Sequence, residues 1–299
     1  MPEGVCAPRR GLGRGFPSDR AALVVYLMAG YPDAAGSLAA LRAAAVAGAD
    51  VIELGVPYGD PLADGPTIRE AADAARAAAP DGFGLRETVA LSAEFTANAG
   101  AGAPPIALMT YLNPMLTYGL DALARDAADA GVSGFIVPDL PPDSPFTGRW
   151  LRAAEPLGLD TVFLAAPTST EERLRTIAEA SSGFIYVVSS VGVTGERAEL
   201  PAELADLVER VTIARAGNRD PRIPVAVGFG VSTPEQAAAV ARLADGVVVG
   251  SAIVRRQADP EALGGFIAEL ATAVTGQAVG GISPSPVPDR AKRSRRGPS

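Results

Sequence analysis

The sequence predicts a (β/α)8 barrel of the TIM type, in a single α/β domain, on three observations. Short runs rich in Val and Ile recur eight times, mostly about 25 to 35 residues apart, and each leads into an Ala/Leu/Arg/Glu stretch with helical periodicity. The runs are nearly continuous in apolar character, as parallel strands covered on both faces must be. An open doubly wound sheet would carry a glycine fingerprint after its first strand, and Ala29-Gly30-Tyr31-Pro32-Asp33 is not one.

In order along the chain, the first strand spans 22–29 and passes into a helix over 36–47. The second, 50–56, holds one charge, Glu53, among apolar residues and precedes two helical stretches, 67–79 and 85–97. A third strand at 105–111 leads to a helix over 120–130, and a fourth at 134–138 to one over 149–157. The fifth, 161–165, precedes 170–180; the sixth, 184–189, precedes 202–214. The seventh and eighth, 224–228 and 246–250, precede helices over 234–243 and 261–274. Pro284, Pro286 and Pro288 with flanking serines then end the domain near Gln277. The expected organisation is a flexible basic leader (1–20), the barrel (21–276) and a disordered Pro/Ser/Arg-rich tail (277–299).

A chain of 299 residues, 48% hydrophobic and 20% charged, fits one barrel of about 250 residues with tails. The net charge of −8 is uneven: 1–20 carries +2, 281–299 carries +4, and the body between them −14, which disfavours nucleic acid as a ligand. No apolar run reaches the roughly 18 residues of a membrane span, no signal-peptide pattern follows the N-terminal arginines, and the lone Cys6 has no partner for a bridge, so a cytoplasmic protein is expected. The absences restrict the chemistry. The sequence holds no histidine, and its single lysine is Lys292, in the tail. The body must therefore work without an imidazole base, a Schiff-base lysine or a His-ligated metal, and no metal site is expected.

Barrel sites collect at the C-terminal strand ends. Glycines follow strands six, seven and eight, in Val191-Gly192-Val193-Thr194-Gly195, Gly228-Phe229-Gly230-Val231-Ser232 and Val249-Gly250-Ser251-Ala252. Such segments let backbone N–H groups approach an anion, with a helix start after strand eight, and together they predict a phosphate site. The second signal is acidic. Glu53 alternates with Val51 and Gly55, a parity that a barrel interior must fill; the alternative is a residue turned outward or paired with an arginine. Inside, it would be desolvated and its pKa raised, which suits a group that gives and takes protons. Asp60, before a proline, reads as turn or cap chemistry, and Asp64, before Gly-Pro, reads equally as a turn residue or a functional carboxylate.

The segments Glu53-Leu54-Gly55-Val56-Pro57 and Asp60-Pro61-Leu62-Ala63-Asp64-Gly65-Pro66 closely resemble the signature of the tryptophan synthase alpha-chain family. So do Met109-Thr110-Tyr111-Leu112-Asn113-Pro114, Val137-Pro138-Asp139-Leu140-Pro141, Gly192-Val193-Thr194-Gly195, Gly228-Phe229-Gly230-Val231-Ser232 and Gly250-Ser251-Ala252-Ile253-Val254. The resemblance runs in order over 22–274. It implies a lyase of tryptophan biosynthesis that splits indole-3-glycerol phosphate into indole and glyceraldehyde-3-phosphate by retro-aldol chemistry, without metal or Schiff base. Glu53 would then be the principal acid/base and Asp64 would stabilise positive charge at the indole N–H. The phosphate would meet Gly195, Gly230, Gly250 and Ser251. The indole pocket would involve Tyr26, Met109, Thr194 and Phe229, with Tyr186 near Glu53. Asp60, Pro61, Asn113 and Pro141 would lie toward a beta chain in an alpha2-beta2 tetramer. Pyridoxal phosphate would belong to that partner, this chain needing no cofactor of its own.

Three departures accompany the resemblance. Residues 8–18 do not read as the helix that usually closes the barrel bottom, Met28-Ala29-Gly30-Tyr31-Pro32 replaces the commoner Thr-Ala-Gly-Asp-Pro, and the basic tail is an addition. The competing readings are a stand-alone lyase releasing free indole and a non-catalytic barrel acting as an allosteric partner of a beta chain. A phosphosugar isomerase would share the phosphate loops but not the 53–66 motif.

Overall fold

The computed structural model describes residues 11–61, 64–100, 102–188, 202–228 and 230–276. Among them, nine parallel strands form one sheet: β1 (Ala22–Met28), β2 (Val51–Gly55), β3 (Ile106–Met109), β4 (Gly134–Ile136), β5 (Asp160–Val162), β6 (Leu164–Ala165), β7 (Ile185–Val188), β8 (Val225–Gly228) and β9 (Gly246–Val249). Their order is β5-β4-β3-β2-β1-β9-β8-β7-β6. The two sheet ends, β5 and β6, are halves of one stretch broken at Phe163. The first half pairs with β4 and the second with β7, and the Phe163 carbonyl accepts from the Tyr186 N–H at 3.1 Å. That stretch is the fifth of the eight expected strands, and it closes the barrel by changing neighbours halfway.

The expected helices correspond to α1 (Ala34–Val46), α2 (Pro66–Ala78), α3 (Leu85–Ala99), α5 (Leu120–Asp129), α6 (Thr147–Ala154), α7 (Glu171–Ala180), α8 (Ala202–Ala214), α9 (Pro234–Ala241) and α11 (Pro260–Thr275). Several begin where a side chain accepts from an otherwise unpaired first-turn N–H: Asp33 from Gly36, Thr170 from Arg173, Asp259 from Glu261 and Ala262. The sequence did not anticipate α4 (Leu112–Tyr118), seven residues with too little length for a visible period. A four-residue helix, α10 (Ser251–Val254), follows β9.

Strand parity sorts the core into two layers. Leu23, Val25, Leu27, Ile52, Leu54, Leu108 and Phe135 pack outward against the helices, where Trp150 meets Phe135 edge-on with centroids 4.8 Å apart. Val24, Val51, Ala107, Ile136, Val162, Phe184, Ala226 and Val248 fill the barrel itself.

The floor of the barrel corrects the expected leader. Residues 11–20 are not a free basic segment: a 3-10 turn (Gly11–Gly15) inserts Leu12 and Phe16, both buried, into the inner layer. Phe16 lies against Phe184 at 5.2 Å, and Asp160 accepts from the Leu12 N–H at 2.7 Å. The insertion requires glycine at the strand starts. A Cβ on Gly134 would meet Leu12 at 2.7 Å, and one on Gly246 would meet Phe16 at 2.7 Å. Two ion pairs edge the floor. Arg20 grips Asp50 through two bonds of 2.6 and 2.7 Å, and Arg215 meets Asp245 at 2.6 Å. Each aspartate also accepts from a strand N–H, Leu23 and Val225 respectively. The rest of the leader (1–10) and the tail (277–299) lie outside the described residues.

Candidate active site

With the floor plugged, space remains at the C-terminal strand ends. A cavity of about 200 Å³ there is lined by Glu53, Asp64, Tyr26, Met109, Tyr186, Gly230, Gly250 and Ser251, together with Ile68, Pro138, Leu164, Val188, Gly228 and Val248. Strand register explains the gathering. Glu53 of β2 stands level with Tyr26 of β1 and Ala107 of β3, while Tyr186 of β7 stands level with Leu164 and with Ala226 of β8. Each is one pleat above an inner-layer residue.

Glu53 is 1% exposed, and its Oε2 has no hydrogen-bond partner among the described residues. Burial, and then the nearby Asp64 carboxylate, push its pKa from the ordinary 4.5 to about 8. Asp64, at the end of the loop between β2 and α2, is also raised by burial, but two groups oppose that rise: a hydrogen bond with the Tyr111 side chain and the charge of Arg69. The two carboxyls thus differ in environment: burial and a like charge both raise Glu53, whereas the smaller rise at Asp64 is opposed by Tyr111 and Arg69. Two buried tyrosines flank them. Burial raises both phenols well above their usual range, with Asp64 the stronger charged neighbour of Tyr26 and Glu53 that of Tyr186. Room for the rings comes from glycine on the adjoining strand. A Cβ on Gly55 would clash with the Tyr26 hydroxyl, and one on Gly228 would meet Tyr186 at 2.6 Å.

On the other side of the cavity lie Gly230, Gly250 and Ser251. Gly230 has φ +63°, a conformation open mainly to glycine. Gly250 precedes α10, whose opening residues Ser251 and Ala252 have no carbonyl within the helix for their N–H groups. Thr194, Gly195 and Phe229 lie outside the described residues. Asp60, Asn113 and Pro141 are exposed and Pro61 half-exposed, in the segments that follow β2, β3 and β4. Those strands are neighbours in the sheet, so the four residues share one side of the rim.

Two larger clefts, of about 300 and 380 Å³, lie at the floor, lined by residues such as Ser182, Asn218 and Asp220 in one and Arg14, Asp50 and Pro105 in the other. Neither holds a buried carboxylate lacking a partner, and chemistry rather than volume favours the upper cavity. Among the described residues no cluster of His, Cys, Asp and Glu could hold a metal ion. Sequence reasoning overlooked Tyr111, although it lay inside a quoted motif. Leu164 and Val248 could have been found from inward parity, whereas Ile68 and Arg69 needed the docking of α2 over the barrel mouth.

A family model described as tryptophan synthase alpha chain matches residues 16–273. The tryptophan synthase alpha chain of Thermobifida fusca is 44% identical over 273 residues, covering 89% of this chain and 97% of that relative. That of Mycobacterium avium is 46% identical over 258 residues, covering 86% and 90%. A solved structure of tryptophan synthase from M. tuberculosis, in an open form with BRD0059 bound, superposes with a TM-score of 0.78 at 42% identity, over 89% of this chain and 99% of the matched one. Fold and relatives agree, and the chain belongs to the tryptophan synthase alpha-chain family.

Proposed function

We propose that this chain is the alpha subunit that cleaves indole-3-glycerol phosphate to indole and glyceraldehyde-3-phosphate, with Glu53 as acid/base and Asp64 as the charge-balancing carboxylate. The observation that carries the assignment is Glu53: a buried carboxyl with an unpartnered oxygen, facing a second carboxyl across one cavity, with a pKa pushed up to about 8. At neutral pH such a group holds a proton and can deliver it. Delivered to indole C3, that proton makes the ring an electron sink, and the positive charge appears at the ring nitrogen. Asp64 would balance that charge as its carboxylate, the form that Tyr111 and Arg69 favour against the larger effect of burial. Glu53, now a carboxylate, accepts the proton of the glyceryl hydroxyl adjoining the ring. The carbon–carbon bond breaks, its electrons return to the indole, an aldehyde forms, and Glu53 ends protonated as it began. No metal or covalent intermediate enters the cycle.

Gly230, Gly250 and Ser251, with Gly195, would hold the phosphate through backbone N–H groups and the start of α10. Tyr26, Met109 and Tyr186, with Thr194 and Phe229, would enclose the indole. Asp60, Pro61, Asn113 and Pro141 would face a beta chain in an alpha2-beta2 tetramer, with the partly exposed Leu116 and Phe146 near them on α4 and before α6. Pyridoxal phosphate would reside in that partner. A cytoplasmic location accords with biosynthetic work; among the described residues no helix is long and apolar enough to cross a membrane.

The test is indole release from indole-3-glycerol phosphate by the purified chain, with and without a cognate beta chain. Slow release that accelerates greatly with the beta chain is expected. Fast release unaffected by it would favour a stand-alone lyase, and none under either condition a silent barrel. Glu53→Gln should abolish turnover while substrate binding survives, and Asp64→Asn should lower turnover severely. Wild-type rates in either variant would remove that residue from the mechanism.

A further inference from the structure

Gln257, shortly beyond α10, is completely buried, and its side-chain amide hydrogen-bonds the end of β1 and the turn after it. Oε1 accepts from the Met28 N–H at 2.9 Å, and Nε2 donates to the Met28 carbonyl at 2.6 Å and to the Tyr31 carbonyl at 2.8 Å. The amide fills a gap that the barrel leaves. Even-numbered residues of β1 turn their backbone groups toward β9 and odd-numbered ones toward β2: the Ala22 N–H donates to the Asp245 carbonyl, and the Ala29 N–H, just past the strand, to that of Gly55. β2 accompanies β1 as far as Met28, opposite Gly55, but β9 only as far as Val25, opposite Val249. There the chain leaves the sheet through Gly250 into α10, and among the described residues no strand meets the Met28 backbone on that side. Buried backbone groups need partners. One primary amide, with a donor and an acceptor side by side, stands in for the missing strand residue.

We propose that Gln257 is a positioning residue for the substrate's phosphate: it pins α10 to β1 and so sets where Gly250 and Ser251 stand in the cavity. The proposal rests on the phosphate reading of those two residues, which line the cavity with Glu53 and Asp64. α10 is four residues long, too short to keep its place by its own hydrogen bonds. Two contacts hold it from outside. Val254, 2% exposed, joins Tyr26 and Met28 in one buried cluster. The Gln257 N–H then continues the turn onto the Val254 carbonyl at 3.2 Å, and the same residue carries the amide that grips β1. A glutamine needed only to cover Met28 could come from any neighbouring segment. This one belongs to the turn that bears Gly250 and Ser251, and it grips the strand that bears Tyr26, level with Glu53. The bonds that complete the sheet therefore also fix the phosphate end of the cavity against its reacting end.

Gln257→Met keeps the length of the side chain and removes its hydrogen bonds. With α10 loosened, KM for indole-3-glycerol phosphate should rise about ten-fold, as for the loss of one hydrogen bond to a charged group. The inhibition constant of inorganic phosphate should rise by the same factor. At saturating substrate kcat should stay within about two-fold, since the carboxyls are untouched. Gln257→Asn keeps the amide but draws it back by one methylene; it should show the same split at smaller size, and it carries the test if the methionine variant does not fold. The assay is glyceraldehyde-3-phosphate release by the full chain with its beta chain present, with urea unfolding followed in parallel and Ser251→Asp alongside. Folded Gln257 variants with wild-type KM and wild-type phosphate inhibition, whatever their stability, overturn the proposal, because Gln257 then only completes the sheet. A fall in kcat with KM unmoved overturns it as well. Ser251→Asp sets a carboxylate where the phosphate is read to lie and should raise KM; wild-type KM in that variant overturns the phosphate reading, and this proposal with it.

Discussion

Replacing Glu53 by glutamine should change how stability depends on pH, and by a calculable amount. In the folded chain the carboxyl holds its proton up to about pH 8, whereas its ordinary pKa is 4.5. Between these values the folded state binds more protons than the unfolded one, so stability falls as pH rises through the window. The penalty is absent below the lower value and complete above the upper. At about 1.4 kcal/mol per pH unit it reaches about 5 kcal/mol above pH 8 and about 3 kcal/mol at pH 7. The amide of the Glu53→Gln variant cannot ionise and escapes it. The unfolding free energy of the variant should thus gain on the wild type by about 4 kcal/mol between pH 5 and pH 9, whatever constant offset the amide introduces. Asp64 titrates in both proteins and cancels from the difference to first order. Urea titrations read by the fluorescence of Trp150, the only tryptophan and fully buried, would measure it. A gap that stays flat from pH 5 to pH 9 would refute the argument, because Glu53 would then ionise as freely inside the barrel as in water.

Two further predictions concern packing. Leu12→Ala should cost about 2–5 kcal/mol of stability, as for a buried leucine elsewhere, while kcat stays near wild type because the floor lies at the opposite end from the carboxyls; a cost under about 0.5 kcal/mol, seen in the same titrations, would mean the turn is not part of the core. Gly228→Ala places a methyl 2.6 Å from the Tyr186 ring, so it should displace that ring, lower kcat and cost about 1–3 kcal/mol. Wild-type activity there would separate Tyr186 from the chemistry.

Period and parity carried most of the fold. Apolar runs of strand length and the alternation around Glu53 are local properties, and the strands lie within one or two residues of the expected bounds at most ends. Three features had no local signature. The break at Phe163 follows from barrel closure, a property of the whole ring of strands. Helix α4 is two turns long and shows no period. The turn at Gly11–Gly15 alternates glycines with Leu12 and Arg14, and its burial becomes intelligible only beside Gly134 and Gly246, far along the chain. In the site, Glu53 was legible because a barrel strand has an inside and an outside. Asp64 was not, since a carboxylate before Gly-Pro serves a turn equally well. What the folded chain adds is its place on the cavity that Glu53 also lines.

The plugged floor also bears on how the chain can be made. Leu12 and Phe16 are made before every strand of the barrel, yet the glycine that leaves space for Phe16 is Gly246, in the last strand. Until that strand arrives, the two apolar side chains have no complete socket. The two side chains are therefore made well before their socket is complete, and the lowest layer of the barrel can close only once its last strand has been made.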